Sequence, residues 1–186
     1  MVKIKIILGR KNVIACHKAG VMKMGDGLFI KVAAEVSKKY PEIAYREEQI
    51  DTVCMNLASD PTKFEVMVMP NLYGDIVSDL CAGLIGGLGL TASGNIGKDC
   101  EVYEAVHGTA PDIAGKNLAN PTALLLSSTM MLKAMGMRDF GNAIEDSVFK
   151  VMREGKYLTG DLGGKAKTTE FTRAIIENLK LWNVYF

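Results

Sequence analysis

Apolar positions along the chain switch between two periods. "KNVIAC" (11–16) is a β-branched run and reads as a strand, whereas "DGLFIKVAAEVSKKY" (26–40) carries Leu28, Phe29, Val32, Ala33 and Val36 at helical spacing and stops at Pro41. "EIAYREEQI" (42–50) reads as a strand, and "TVCMNLASD" (52–60) has mixed signals. "FEVMVMP" (64–70) is a short continuous apolar run, which predicts a strand buried on both faces. "LYGDIVSDLCAGLIGG" (72–87) predicts a helix with Ile76, Leu80 and Leu84 on one stripe, its glycines marking a helix end and a turn. Beyond it, "EVYEAV" (101–106) predicts a strand and "HGTAPDIAGKNLAN" (107–120) a loop. Asn120 as N-cap and Pro121 at the first helical position open a helix over "NPTALLLSSTMMLKAM". "FGNAIEDSVFKVMREG" and "TTEFTRAIIENLKLW" predict two more helices, joined by the loop "GDLGGKAK". The opening "MVKIKIILGRKNV" reads most like a strand. Strands alternating with helices predict an α/β fold.

Composition narrows the function classes. The 186 residues are 48% hydrophobic and 23% charged, enough for one domain or parts of two. A net charge of +1 gives no electrostatic footprint for nucleic acid or an anionic membrane. No apolar run reaches the roughly 20 residues of a membrane span. Cys16, Cys54, Cys81 and Cys100 are scattered, with no CxxC pair, and read as reduced thiols rather than zinc ligands.

Polar residues gather where strands are predicted to end. Ligands of α/β sheets bind at the carboxyl ends of strands. His17 and Lys18 follow the first strand, Asp51 the second, and Asp75 and Asp79 stand on the helix after the third. If those strands are parallel, one lysine and three aspartates converge on one edge. Taken singly, each is most simply a solvated charge, and an aspartate near a helix start gains about 0.3–1 kcal/mol from the helix dipole. As a pair, Asp75 and Asp79 lie roughly 5–6 Å apart at helical spacing, close enough to share a hard cation. An all-carboxylate set favours Mg²⁺ or Mn²⁺ over zinc. The loop "HGTAPDIAGK" permits close backbone approach, and Asp112 in it offers a bidentate acceptor suited to a ribose diol.

Three long motifs, "MPNLYGDIVSDLCAGLIGGLGLTASGNIG", "EAVHGTAPDIAGK" and "NPTALLLSS", resemble the isocitrate/isopropylmalate dehydrogenase family. Within it they are closest to the catalytic subunits of the NAD-dependent mitochondrial branch. "CHKAGVMKMGDGLF" and "DLGGKAKTTEFT" extend the resemblance from about Gly9 to about Leu179. The resemblance implies the C-terminal half of that family's two-domain fold, with 1–86 in the small, dimerising and metal-binding domain and 87–186 in the large cofactor-binding domain. It implies that Lys18 handles protons at the substrate and that Asp51, Asp75 and Asp79 hold Mg²⁺ or Mn²⁺. His107, Gly108, Thr109, Ala110, Asp112 and Asn120 would hold the adenosine half of NAD. A carboxylate at Asp112 accepts both ribose hydroxyls and repels a 2′-phosphate, which favours NAD over NADP.

The implied reaction is oxidative decarboxylation of isocitrate to 2-oxoglutarate, in an oligomer whose sites are shared between protomers. Lys18 and Asp51 would serve the partner's site, Asp75 and Asp79 their own. The mitochondrial matrix is the implied compartment, and no nucleic acid or membrane is expected as partner. The family's chain is about twice this long, and its arginine cluster and catalytic tyrosine lie in the half with no counterpart here. The chain is therefore expected to be a fragment, inactive alone. Two departures stand out: Gly20, where the family has Asn two residues after the lysine, and Ala92, where it has Pro. Other readings are a 3-isopropylmalate or related malate-type dehydrogenase and a non-catalytic regulatory subunit. Retained Asp75 and Asp79 weigh against the last.

Overall fold

The computed structural model describes residues 9–179. Most of the predicted opening strand, and the end of the last predicted helix, lie outside the described residues. The chain divides into two compact units, Met1–Leu84 and Ile85–Phe186.

In the first unit the order is β1 (Asn12–His17), α1 (Gly25–Ser37), β2 (Ala44–Gln49), α2 (Ile50–Ser59), a 3₁₀ turn (Pro61–Lys63), β3 (Val66–Val68) and α3 (Asn71–Ile85). The three strands form a parallel sheet ordered β2-β1-β3, with Asn12 opposite Ala44 and Val13 opposite Val66. Because β1 is central, Ile14, Ala15 and Cys16 are fully buried. Side chains alternate across the sheet. Ile14 and Cys16 face a core completed by Val53, Leu57 and Val77, with Met67 packed against it. Glu65 pins the start of β1, accepting from the backbone N–H groups of Lys11 (2.5 Å) and Asn12 (3.0 Å).

Three expectations need correction here. The segment 52–60, mixed in signal, is helical through Ser59, because Val53 and Leu57 pack into the core at i,i+4 spacing. β3 is half-buried rather than buried on both faces, because it is an edge strand of the described sheet. In α3 the buried residues are Val77 and Ala82, while Ile76 and Leu84 are more than half exposed. The apolar stripe of α1 also finds no closed core. Leu28, Val32 and Val36 are exposed and, with Val13, Tyr45 and Val68, line an open apolar groove of about 500 Å³.

In the second unit a 3₁₀ turn (Leu88–Leu90) leads to β4 (Ala92–Ile96) and β5 (Glu101–Ala105), an antiparallel pair with Ala92 opposite Ala105. Then follow the loop 106–121, α4 (Thr122–Ala134), α5 (Arg138–Glu154), a 3₁₀ turn (Gly160–Leu162) and α6 (Thr168–Asn178). β4 has no strand signature in the sequence, since "ASGNI" is rich in turn residues. It forms because β5 pairs with it and because Ser93 N–H donates to Ser127 Oγ of α4 at 3.1 Å. Ile144, Val148 and Val151 make the apolar stripe of α5, packed against Phe171, Ala174 and Ile175 of α6. Buried Ser147 donates to the Ile175 carbonyl at 2.6 Å, so this helix pair is also hydrogen-bonded.

Candidate functional site

The first cluster forms at the carboxyl edge of the parallel sheet. Lys18 leaves the end of β1, and its ammonium contacts Asp51 Oδ1 of α2 at 2.7 Å and Gln49 Oε1 of β2 at 3.1 Å. Pairing of β1 with β2 sets this meeting, since His17 lies opposite Gln49 and the residues just beyond are brought side by side. The hydrogen bond from Lys18 is the largest influence on Asp51 and holds its carboxyl below the ordinary value of 3.8. At the same edge the Lys18 N–H donates to Asp26 Oδ2 (2.6 Å), and the Ala19 N–H donates to His17 Nδ1 (3.0 Å). The Tyr73 hydroxyl, in the first turn of α3, donates to the same Asp26 oxygen at 2.9 Å. That bond raises the Tyr73 pKa above its ordinary value.

Asp75 and Asp79 stand one turn apart on α3, both exposed. Among the described residues no hydrogen bond or ion pair reaches either carboxylate. The four predicted residues thus form two pairs, Lys18 with Asp51 and Asp75 with Asp79. No group of three or more His, Cys, Asp or Glu side chains able to hold a metal forms among the described residues. The strands are parallel, as the predicted convergence requires, so the ends of β1, β2 and β3 lie on one edge of the sheet. Two oxygen-only ligands at helical spacing suit a hard cation such as Mg²⁺ or Mn²⁺ and leave most of its six or more positions to other groups. All four cysteines are free, and burial pushes the Cys16 thiol up to about 12.

The second cluster is a groove of about 720 Å³ in the second unit. His107, Gly108, Thr109, Ala110 and Asn120 line it. Asp112 is exposed and stands outside the lining. Ala110 adopts φ 42°, a left-handed conformation that costs a non-glycine residue roughly 1–2 kcal/mol. The loop is held by its ends. Asn117 accepts from Thr169 N–H at 3.2 Å and donates to Thr169 Oγ1 at 2.9 Å. Asn120 Oδ1 accepts from Thr122 N–H at 3.0 Å in the turn before α4, whose N-cap is Pro121 rather than the predicted Asn120, and Asn120 Nδ2 donates to Asp161 Oδ2 at 2.9 Å.

Asp26, Gln49, Tyr73 and Asp161 join these clusters although sequence pattern alone does not single them out. Asp26 carries a weak signal, an acid at a helix start within "MGDGLF"; Asp161 sits in a Gly-rich turn and carries none. Gly20, the departure beside Lys18, has open space around it. A β-carbon built there meets only Gln49 Oε1, at 3.9 Å.

Known proteins share both the sequence motifs and this architecture. A family model described as isocitrate/isopropylmalate dehydrogenase matches residues 3–175. An Arabidopsis thaliana protein named isocitrate dehydrogenase (NAD) catalytic subunit 5, mitochondrial, is 59% identical over 172 residues, 92% of this chain and 46% of its own. A Dictyostelium discoideum protein, named as a regulatory subunit of mitochondrial isocitrate dehydrogenase (NAD), is 58% identical over 92% of this chain and 49% of its own. The crystal structure of isocitrate dehydrogenase from Methylococcus capsulatus superposes with a TM-score of 0.91 at 43% identity, covering 96% of this chain and 53% of that one. The chain spans about half the length of the curated relatives it matches. By sequence match and by its α/β architecture, the chain belongs to the isocitrate/isopropylmalate dehydrogenase family.

Proposed function

We propose that this chain contributes half of the catalytic apparatus of an NAD-dependent isocitrate dehydrogenase requiring Mg²⁺ or Mn²⁺ and acting in the mitochondrial matrix. The observation that carries the reading is the Lys18–Asp51 pair at the carboxyl edge of the parallel sheet, beside α3 with its two unpaired carboxylates. Lys18 takes the proton of the substrate hydroxyl and returns one to the product. Its contact with Asp51 keeps the side chain aimed until substrate arrives. Asp75 and Asp79, with Asp51 of a partner copy, hold the cation, which when bound polarises the substrate's carbonyl and stabilises developing negative charge.

The first unit serves as the dimerising, metal-binding part, within 1–86, and the second as the cofactor-binding part, within 87–186. His107, Gly108, Thr109, Ala110 and Asn120 line the groove for the adenosine half of NAD, and Asp112 accepts the ribose hydroxyls once the loop turns it inward. Two identical or related chains share each site, and because this chain spans about half the length of its relatives it is expected by itself to form no NADH from isocitrate with Mg²⁺ or Mn²⁺. A spectrophotometric assay of the purified chain tests this, and robust turnover would overturn it. In the assembled enzyme, Asp75→Asn is expected to raise the Mn²⁺ concentration for half-activity by about tenfold or more. Unchanged activity at limiting Mn²⁺ contradicts the assignment. The family description also names isopropylmalate; a substrate panel with 3-isopropylmalate separates the two acids.

A further inference from the structure

Asp26 is the one buried charged side chain among the described residues, with 7% of its surface exposed. No cation pairs with it among the described ion pairs. Burying a carboxylate is costly unless hydrogen bonds and local dipoles compensate. Both do so here. Asp26 is the second residue of α1, where the helix end favours negative charge. One of its oxygens, Oδ2, accepts both the Lys18 N–H at 2.6 Å and the Tyr73 hydroxyl at 2.9 Å.

These two donors belong to the two pairs described above. The Lys18 N–H sets the peptide from which the Lys18 side chain departs toward Asp51. Tyr73 lies in the first turn of α3, two residues before Asp75. A single oxygen therefore ties the end of β1, the start of α1 and the start of α3 together. Charge-assisted bonds of this kind are shorter and stronger than neutral ones.

We propose that Asp26 is a positioning residue: it fixes where Lys18 leaves the sheet and, through Tyr73, where α3 presents Asp75 and Asp79. The proposal rests on the reading of Lys18 as the proton-handling group. Under that reading Lys18 and Asp51 face one site and Asp75 and Asp79 another, so one carboxylate sets residues of two sites.

Three variants of the assembled enzyme test it. Asp26→Ala removes the acceptor, Asp26→Asn keeps an oxygen for both donors, and Tyr73→Phe cuts only the branch to α3. In Asp26→Ala, kcat with isocitrate, NAD and Mn²⁺ is expected to fall about a hundredfold while KM changes little. Asp26→Asn is expected to recover most of that loss, which a need for negative charge alone would not produce. Tyr73→Phe is expected to raise the Mn²⁺ concentration for half-activity more than it lowers kcat. An Asp26→Ala enzyme with unchanged kcat, or an Asp26→Asn enzyme as slow as the alanine variant, overturns the proposal. Amide hydrogen exchange at Lys18 gives a readout separate from turnover. It is expected to be slow in the parent and in Asp26→Asn and fast in Asp26→Ala; fast exchange in the parent also overturns it. If Asp26→Ala does not fold, the asparagine and phenylalanine variants and the exchange measurement decide. If Lys18→Ala leaves turnover intact, the reading of Lys18 fails, and exchange at Lys18 still reports whether Asp26 holds the loop.

Discussion

At the residue scale, the ion pair between Lys18 and Asp51 sets the local chemistry. It is shallow, with the Asp51 side chain 64% exposed, so solvent screens it and its worth to folding is small. Its effect on Asp51 is nonetheless directional. The folded-state pKa lies below the unfolded value, so the pair's contribution is complete above that value and is lost as pH falls through the lowered folded one. Carboxyl NMR of Asp51 is expected to give a midpoint below 3.8 in the parent chain and a return toward 3.8 in Lys18→Met. A parent midpoint at or above 3.8 contradicts the pairing. Asp75 and Asp79 differ in kind, since among the described residues no hydrogen bond or ion pair reaches either carboxylate. Two like charges at helical spacing cost a few tenths of a kcal/mol without a cation. Cation binding relieves that cost.

At the element scale, the tightest backbone approach lies in the turn before α6. A β-carbon on Gly164 would fall on the Leu158 carbonyl, which itself accepts from Ala166 N–H at 2.9 Å. Gly164→Ala is expected to destabilise by about 2 kcal/mol or more, whereas surface changes stay within about 0.5 kcal/mol. Gly160→Ala, with nothing within 4 Å of its β-carbon, is the matched control. Equal melting temperatures for the two variants would contradict the packing. Elements with strong local signals are legible in the sequence. Asn120 and Pro121 mark the start of α4 to within one residue, its N-cap being Pro121, and the glycines after α3 read as a stop, consistent with Gly86 and Gly87 at φ 111° and 131°. Elements made by tertiary pairing are not legible. β4 is built from turn residues and exists through β5 and Ser127. The burial of β3 is overestimated from sequence because a continuous apolar run does not reveal an edge position. Lys18, Asp51, Asp75 and Asp79 are legible through strand ends and helical spacing, whereas Asp26 is not, because its partners lie 8 and 47 residues away.

At the scale of the whole molecule, the two pairs form no common metal-holding cluster among the described residues. Oligomers with closed symmetry can complete a site by lending side chains across the interface. If Lys18 and Asp51 serve the partner's site while Asp75 and Asp79 serve their own, two differently damaged chains can rebuild one intact site between them. The direct measurement mixes Lys18→Ala and Asp75→Asn chains during assembly of the enzyme, at a limiting Mn²⁺ concentration where each variant alone is inactive. Random pairing is expected to restore about a quarter of the parent turnover, since half the dimers are hybrids and each hybrid holds one undamaged site. Hybrids that stay as inactive as either variant would place both residues in the same site and contradict the account.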